Sequence, residues 1–179
     1  VGTLPYVIAS PVSRLQHYIA VPIPRLLLVL VSGATSVIPV LTYFYGIQGL
    51  IEGLAILALT ALGAILFVTL IMFIIGIVYG VGGENWRIIN VLRPVIMILL
   101  GAYYPRFLMP LAGKIVSSLI PSSHVIEAIQ RILTRYDPSL LNILSLLGIA
   151  TALFILYAIP GGKSVLFWEK RKIMEGVKV

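Results

Sequence analysis

The stretch "LLLVLVSGATSVIPVLTYFYGIQGLI", residues 26–51, contains no charged side chain. Placing an Arg, Lys or Asp at mid-membrane costs about 2.5–3.5 kcal/mol on insertion scales, so long charge-free runs mark hydrocarbon. Three further runs are silent in the same way: Gly53–Gly83, Pro94–Pro105 and Pro138–Gly162. About 20 apolar residues are enough to cross a bilayer as a helix. Of the 179 residues 60% are hydrophobic and only 11% are charged, too little polar surface to cover a soluble core. The pattern predicts an all-α, polytopic membrane bundle of four transmembrane helices, with short interfacial helices between the third and the fourth.

The expected spans are about 22–45, 53–79, 87–104 and 140–159. The first starts at Pro22 or Pro24 and is kinked by Pro39. "GIQGLIE", residues 46–52, reads as the loop to the second span, with Glu52 at a helix end. The third requires Arg93 to snorkel to one surface while Tyr103 and Tyr104 mark the other. The fourth is closed by Pro160-Gly161-Gly162. Outer helices are expected at about 107–136, as Phe107–Leu119 and Ser123–Tyr136, with Ser122 or Ser123 as a cap. A basic tail occupies 163–179.

The net charge of +7 does not indicate nucleic acid, because the basic residues lie at the ends of apolar runs. Sorting Lys and Arg to alternate sides puts Arg14, Arg25, Arg87, Arg93, Lys163 and the tail on one face, and Arg106, Lys114, Arg131 and Arg135 on the other. By the positive-inside rule both termini are then cytoplasmic in a multi-pass protein of the cell membrane, and Tyr103–Asp137 faces outward. Residues 1–21 are too polar and proline-broken to span. Val12, Leu15 and Ile19 recur at helical spacing, so the segment reads either as a helix along the cytoplasmic surface or as a slack leader.

Catalytic patterns are scarce. "AIPGGKS", residues 158–164, ends like a phosphate-binding loop, but the position of the loop's first glycine holds Tyr157 and the preceding element is a membrane helix. No ATP site is expected on this chain, and no cofactor. His124 and Glu127 have helical spacing for a metal, yet no further donors complete a set, so a surface hydrogen-bond pair is the expectation and no metal site is assigned. The spans lack the buried carboxylates and lysines of an ion relay. Gly49 with Gly53, Gly76 with Gly80, and Gly148 with Ala152 are spaced for close helix approach, within the chain or across a dimer.

Two segments together resemble a known family. "GTLPYVIASPVSRL", residues 2–15, is similar to the cytoplasmic Gly-Thr-Leu-Glu…Ser-Pro-Val-Ser segment of type-two ATP-binding-cassette (ABC) transporter permeases, with Pro5 where the family carries an acid. "GAYYPRFLMPLAGKIVSSLIPSSHVIEAIQRIL", residues 101–133, resembles that family's outer region at Gly101, Pro105, Met109-Pro110, Pro121, His124, Glu127 and, shifted by one, Arg131.

The resemblance implies the membrane permease of an ATP-driven exporter, working as a homo- or heterodimer with ATPase subunits that hold the ATP and Mg. It makes Gly2, Thr3, Leu4, Ser10, Pro11 and Arg14 part of a coupling segment seated on the ATPase. The family carries two helices before that segment, so a fragment, a truncated product or a misassigned start is expected. The alternative reading is a small accessory or scaffold membrane protein without a transport cycle. An intramembrane enzyme would rest on the His124–Glu127 face alone.

Overall fold

The computed structural model describes residues 23–81 and 85–174. Gly2, Thr3, Leu4, Ser10, Pro11 and Arg14, which the resemblance would make a coupling segment, and the end of the basic tail lie outside the described residues. Five α-helices follow one another, and no strand occurs among the described residues. They are α1 (Ile23–Val81), α2 (Asn85–Leu99), α3 (Leu111–Ser118), α4 (Pro121–Thr134) and α5 (Leu140–Met174), with a single 3₁₀ turn, Arg106–Leu108, ahead of α3.

α1 is interrupted once, at Gly46, whose φ of 62° and ψ of −139° are open to glycine and strained for any other residue. The contacts on either side show what the break does. A Cβ added at Gly49 would overlap the carbonyl of Leu41, one at Gly53 would lie 3.3 Å from Ile38, and one at Gly33 would lie 3.1 Å from Leu57. Pairs that straddle Gly46 at growing distance are the mark of an antiparallel helical hairpin, with arms 23–45 and 47–81. The small residues set its spacing by letting the backbones touch, so Gly49 and Gly53 serve packing within the chain.

Two expectations are corrected here. The loop foreseen at 46–52 is one residue: helix resumes at Ile47, and Glu52 stands inside the second arm, bonded through Oε1 to Gln48 Nε2 at 3.0 Å. Pro39 lies inside the first arm, and the residue with non-helical backbone angles in α1 is Gly46. Thr35 and Ser36 return their hydroxyls to carbonyls one turn back, leaving no polar group of theirs unmet in an apolar arm.

The chain divides into two compact units, the first ending at Leu57 and the second beginning at Ala58. The second is built on a core of Leu59 and Leu66 from α1, Val125 and Ala128 from α4, and Ala150 from α5, flanked by Leu62, Ile129, Ile132, Ile143, Leu146, Leu147 and Phe154. Gly63 allows α4 to approach: Val125 sits 3.3 Å from the position of an added Cβ.

Two helices, Ile23–Val68 and Leu140–Lys163, are long and apolar enough to cross a membrane, and the protein buries only 22% and 6% of their most apolar windows. A core helix of a soluble protein would be covered; these leave Leu28, Val31, Leu141, Ile155 and Leu156 more than half exposed. Among the described residues the protein is thus helical throughout, with two long apolar helices left largely uncovered.

The remaining corrections concern element ends. α2 stops at Leu99 rather than 104, because Gly101 closes it. α5 does not end at Pro160-Gly161-Gly162 but runs on to Met174. A proline and two glycines weaken a helix by a few kcal/mol without forbidding it, when apolar residues continue on both sides. The helix expected at Phe107–Leu119 is a 3₁₀ turn plus α3, and α4 begins at Pro121, ahead of the expected Ser123.

Candidate functional site

The polar side chains buried in the second unit collect between α2 and α5. α2 ends in a Schellman turn: Ala102 N–H bonds the Met97 carbonyl at 3.0 Å and Gly101 N–H the Ile98 carbonyl at 2.9 Å, with Gly101 at φ 82°. That left-handed residue is the reason for glycine at 101. The turn sends the chain into Pro105, which precedes the 3₁₀ turn. Pro110 stands at the N-cap of α3 and Pro121 at the first residue of α4. All three prolines therefore start helices, where the missing N–H costs nothing.

Arg106 is the centre of the cluster and is buried. Its Nη1 donates to His124 Nδ1 at 2.8 Å and meets Glu127 Oε2 at 3.1 Å. Glu127 Oε1 accepts two bonds from Arg131, from Nε at 3.1 Å and Nη2 at 2.8 Å. Arg131 Nη1 reaches Asp137 Oδ2 at 3.4 Å, and that oxygen also accepts from Asn142 Nδ2 at 2.6 Å. On the other side, His124 Nε2–H donates to the Ser118 carbonyl at 2.9 Å. A single polar chain thus runs from α3 through the 3₁₀ turn and α4 to α5. The buried Arg106 and Glu127 carry opposite charges, and the largely buried Arg131 is met by Glu127 and by the exposed Asp137.

Gln130 fastens the turn itself. Its Nε2 donates to the Gly101 carbonyl at 2.6 Å, and its Oε1 accepts from the Arg106 N–H at 3.4 Å. Ser123 Oγ donates to the Ser117 and Ile120 carbonyls at 2.6 and 2.8 Å, joining α3 to α4. It is not the expected N-cap: Ile120 holds that place without a side-chain bond. Phe107 stacks on Tyr136 with ring centroids 4.5 Å apart, closing the exposed side, and the Arg131 guanidinium lies 6.0 Å from the same tyrosine ring.

The two histidine bonds specify a protonation state. Nε2 must carry the hydrogen for Ser118, and Nδ1 must present a lone pair to Arg106. Burial lowers the His124 pKa below its usual value and Arg106 adds to that, while the bond to Ser118 and the charge of Glu127 oppose it without reversing it. The imidazole is neutral near pH 7. Burial also lowers the pKa of Arg106, with Glu127 pulling the other way, but a guanidinium starts far enough above neutrality to stay charged.

Of the residues singled out by sequence, His124, Glu127, Arg131 and Gly101 join this cluster, whereas Pro105, Pro110 and Pro121 set helix starts around it. The expected surface pair of His124 and Glu127 is corrected on both counts: the residues are buried, and Arg106 stands between them. Both nitrogens of the imidazole and both oxygens of the carboxylate are engaged. No group of three or more His, Cys, Asp or Glu capable of holding a metal occurs among the described residues.

Arg106, Gln130, Asp137 and Asn142 were not anticipated. The available signal was Glu127 itself: a carboxylate on a helix inside an apolar segment needs a cation, and Arg106 lies in the quoted motif between Pro105 and Phe107. Comparison with known proteins adds no name to this arrangement, since no family model, no curated protein and no solved structure matches the chain.

Proposed function

We propose that the chain is the membrane-spanning permease portion of an ATP-driven exporter of the type-two ABC class, powered by a separate ATPase. One observation carries the reading. Four of the residues that carry the resemblance, Gly101, His124, Glu127 and Arg131, are scattered over 31 positions of sequence yet share one hydrogen-bonded cluster, while Pro105, Pro110 and Pro121 start the helices around it. A motif that closes on itself in space behaves as a unit rather than as chance spacing.

In this reading the chain crosses the bilayer four times, by the two arms of the α1 hairpin, by α2 and by α5. Each arm exceeds 20 residues, roughly 30 Å or more of helix. α2, at 15 residues, reaches roughly 22 Å, and the Schellman turn with Tyr103 and Tyr104 completes the distance to the interface. The segment 101–139 lies outside, both termini are cytoplasmic, and residues 2–15 seat on the ATPase. A second permease copy covers part of the exposed apolar surface. The cluster then keeps the outer helices together as one body that moves with α5 during the transport cycle.

Co-purification tests this. The protein, solubilised from its native membrane, is expected to retain an ABC-type ATPase and to stimulate its ATP hydrolysis, with Arg14→Glu reducing both severalfold. Failure of any ATPase to associate, or indifference of hydrolysis to Arg14 and Pro11 substitutions, overturns the proposal.

A further inference from the structure

We propose that His124 is a proton-operated latch, which holds the turn 101–110 shut while neutral and releases it when a proton is added at Nδ1. The latch needs only the cluster and works whether or not the chain belongs to an exporter.

The geometry carries this. Arg106 Nη1 stands 2.8 Å from Nδ1, a distance that requires a lone pair there. Protonation replaces the lone pair with an N–H, so two donors on two cations face each other at bonding distance. The ring cannot swing away without giving up the Ser118 carbonyl, which Nε2–H holds at 2.9 Å. One of the two contacts has to break.

Among the described residues, the carboxylates near the ring are already engaged by cations. On α4, Glu127 is shared by Arg106 and Arg131. In the turn after α4, Asp137 is bonded by Arg131 and Asn142. On α3, Lys114 adds a further cation, its Nζ on the Phe107 carbonyl at 3.3 Å. The parts of α1 and α5 packed on α4 contribute aliphatic and aromatic side chains, Leu59, Leu62, Leu66, Ile143, Leu147 and Phe154 among them. A protonated His124 therefore adds a fourth cation, beside Arg106, Arg131 and Lys114, to a cluster that holds two carboxylates, Glu127 and Asp137.

The element released is the one Arg106 anchors. Besides Arg106 itself, the Gln130 bonds to Gly101 and to the Arg106 N–H depend on that turn staying in place. Met109, 5% exposed at the end of the 3₁₀ turn, is the reporter of opening.

The sign follows from the direction of the shift. A histidine whose folded pKa lies below its unfolded value of about 6.5 contributes stability that is present above that value and lost as pH falls through the lowered one. The latch is shut at neutral pH and opens on acidification.

The full chain, which has no cysteine, is labelled in nanodiscs as Met109→Cys with a methanethiosulfonate reagent between pH 7.5 and 4.5. Rates are divided by those of Tyr103→Cys, a position 68% exposed, to cancel the thiol's own pH dependence. The ratio is expected to rise severalfold on acidification. In His124→Gln, whose amide can accept from Arg106 and donate to Ser118 without titrating, the ratio should stay low throughout. A pH-indifferent ratio in the parent, or the same rise in His124→Gln, overturns the proposal. Should that variant not fold, the histidine titration of the ¹⁵N-labelled chain carrying His17→Gln decides. The midpoint must coincide with that of Met109→Cys labelling, and a mismatch overturns the latch.

Discussion

The α1 hairpin and the cluster between α2 and α5 hold their helices together by opposite means. In the hairpin, glycines remove side chains so that backbones touch, and hydroxyls such as those of Thr35 and Ser36 return to their own helix. In the cluster, long charged side chains reach across gaps and are buried with their partners. Lipid offers no hydrophobic push between apolar helices, so close van der Waals packing is the available cohesion in one case. In the other, directional bonds specify which segments meet. The difference predicts different failures: the hairpin should resent any added atom, and the cluster any removed charge.

The largest effect is expected at Glu127. Glu127→Leu deprives the buried Arg106 and the largely buried Arg131 of their shared carboxylate. Breaking such a pair from one side costs about 3–5 kcal/mol. Denaturant titration in detergent should show that loss, and a loss under about 1 kcal/mol would mean the charges are solvated rather than buried.

Next comes Gly49→Ala in the hairpin, where one methyl group meets the Leu41 carbonyl. Overpacking of that kind costs about 1–3 kcal/mol. Gly148→Ala makes the same chemical change on α5 with nothing within 4 Å, and should leave stability unchanged or raise it by up to about 1 kcal/mol. Equal effects at the two glycines would erase the contrast.

Gln130→Leu is expected to be comparable or smaller, about 1–2 kcal/mol, since it strands the Gly101 carbonyl and the Arg106 N–H while leaving the ion pairs intact. Amide exchange at Arg106 should accelerate. Unchanged exchange would indicate that the Schellman turn holds itself.

A long apolar helix could be read from residues 26–51 without any structure, because hydropathy and the cost of burying charge act residue by residue. Positions His124, Glu127 and Arg131 were also legible, being three points on one helix face. Their surroundings were not. Whether that face looks outward or inward depends on Arg106, 18 residues before His124, and no local periodicity encodes such a pairing. The loop at 46–52 was misplaced for a related reason: Gly46, Gly49 and Glu52 all look like turn residues in isolation. Packing against Leu41 and Ile38 is what keeps Gly49 and Gly53 helical.

Apolar content and charge spacing by themselves determined the helical class and the two helices long and apolar enough to cross a membrane, since helix formation and apolar character depend on local composition. Tertiary structure alone decided that Gly46 folds α1 into a hairpin, that the glycines face its own partner arm, and that one arginine turns a histidine and a glutamate into a closed, buried circuit. Those outcomes rest on contacts between residues distant in sequence, where distance and direction, not composition, set the energy.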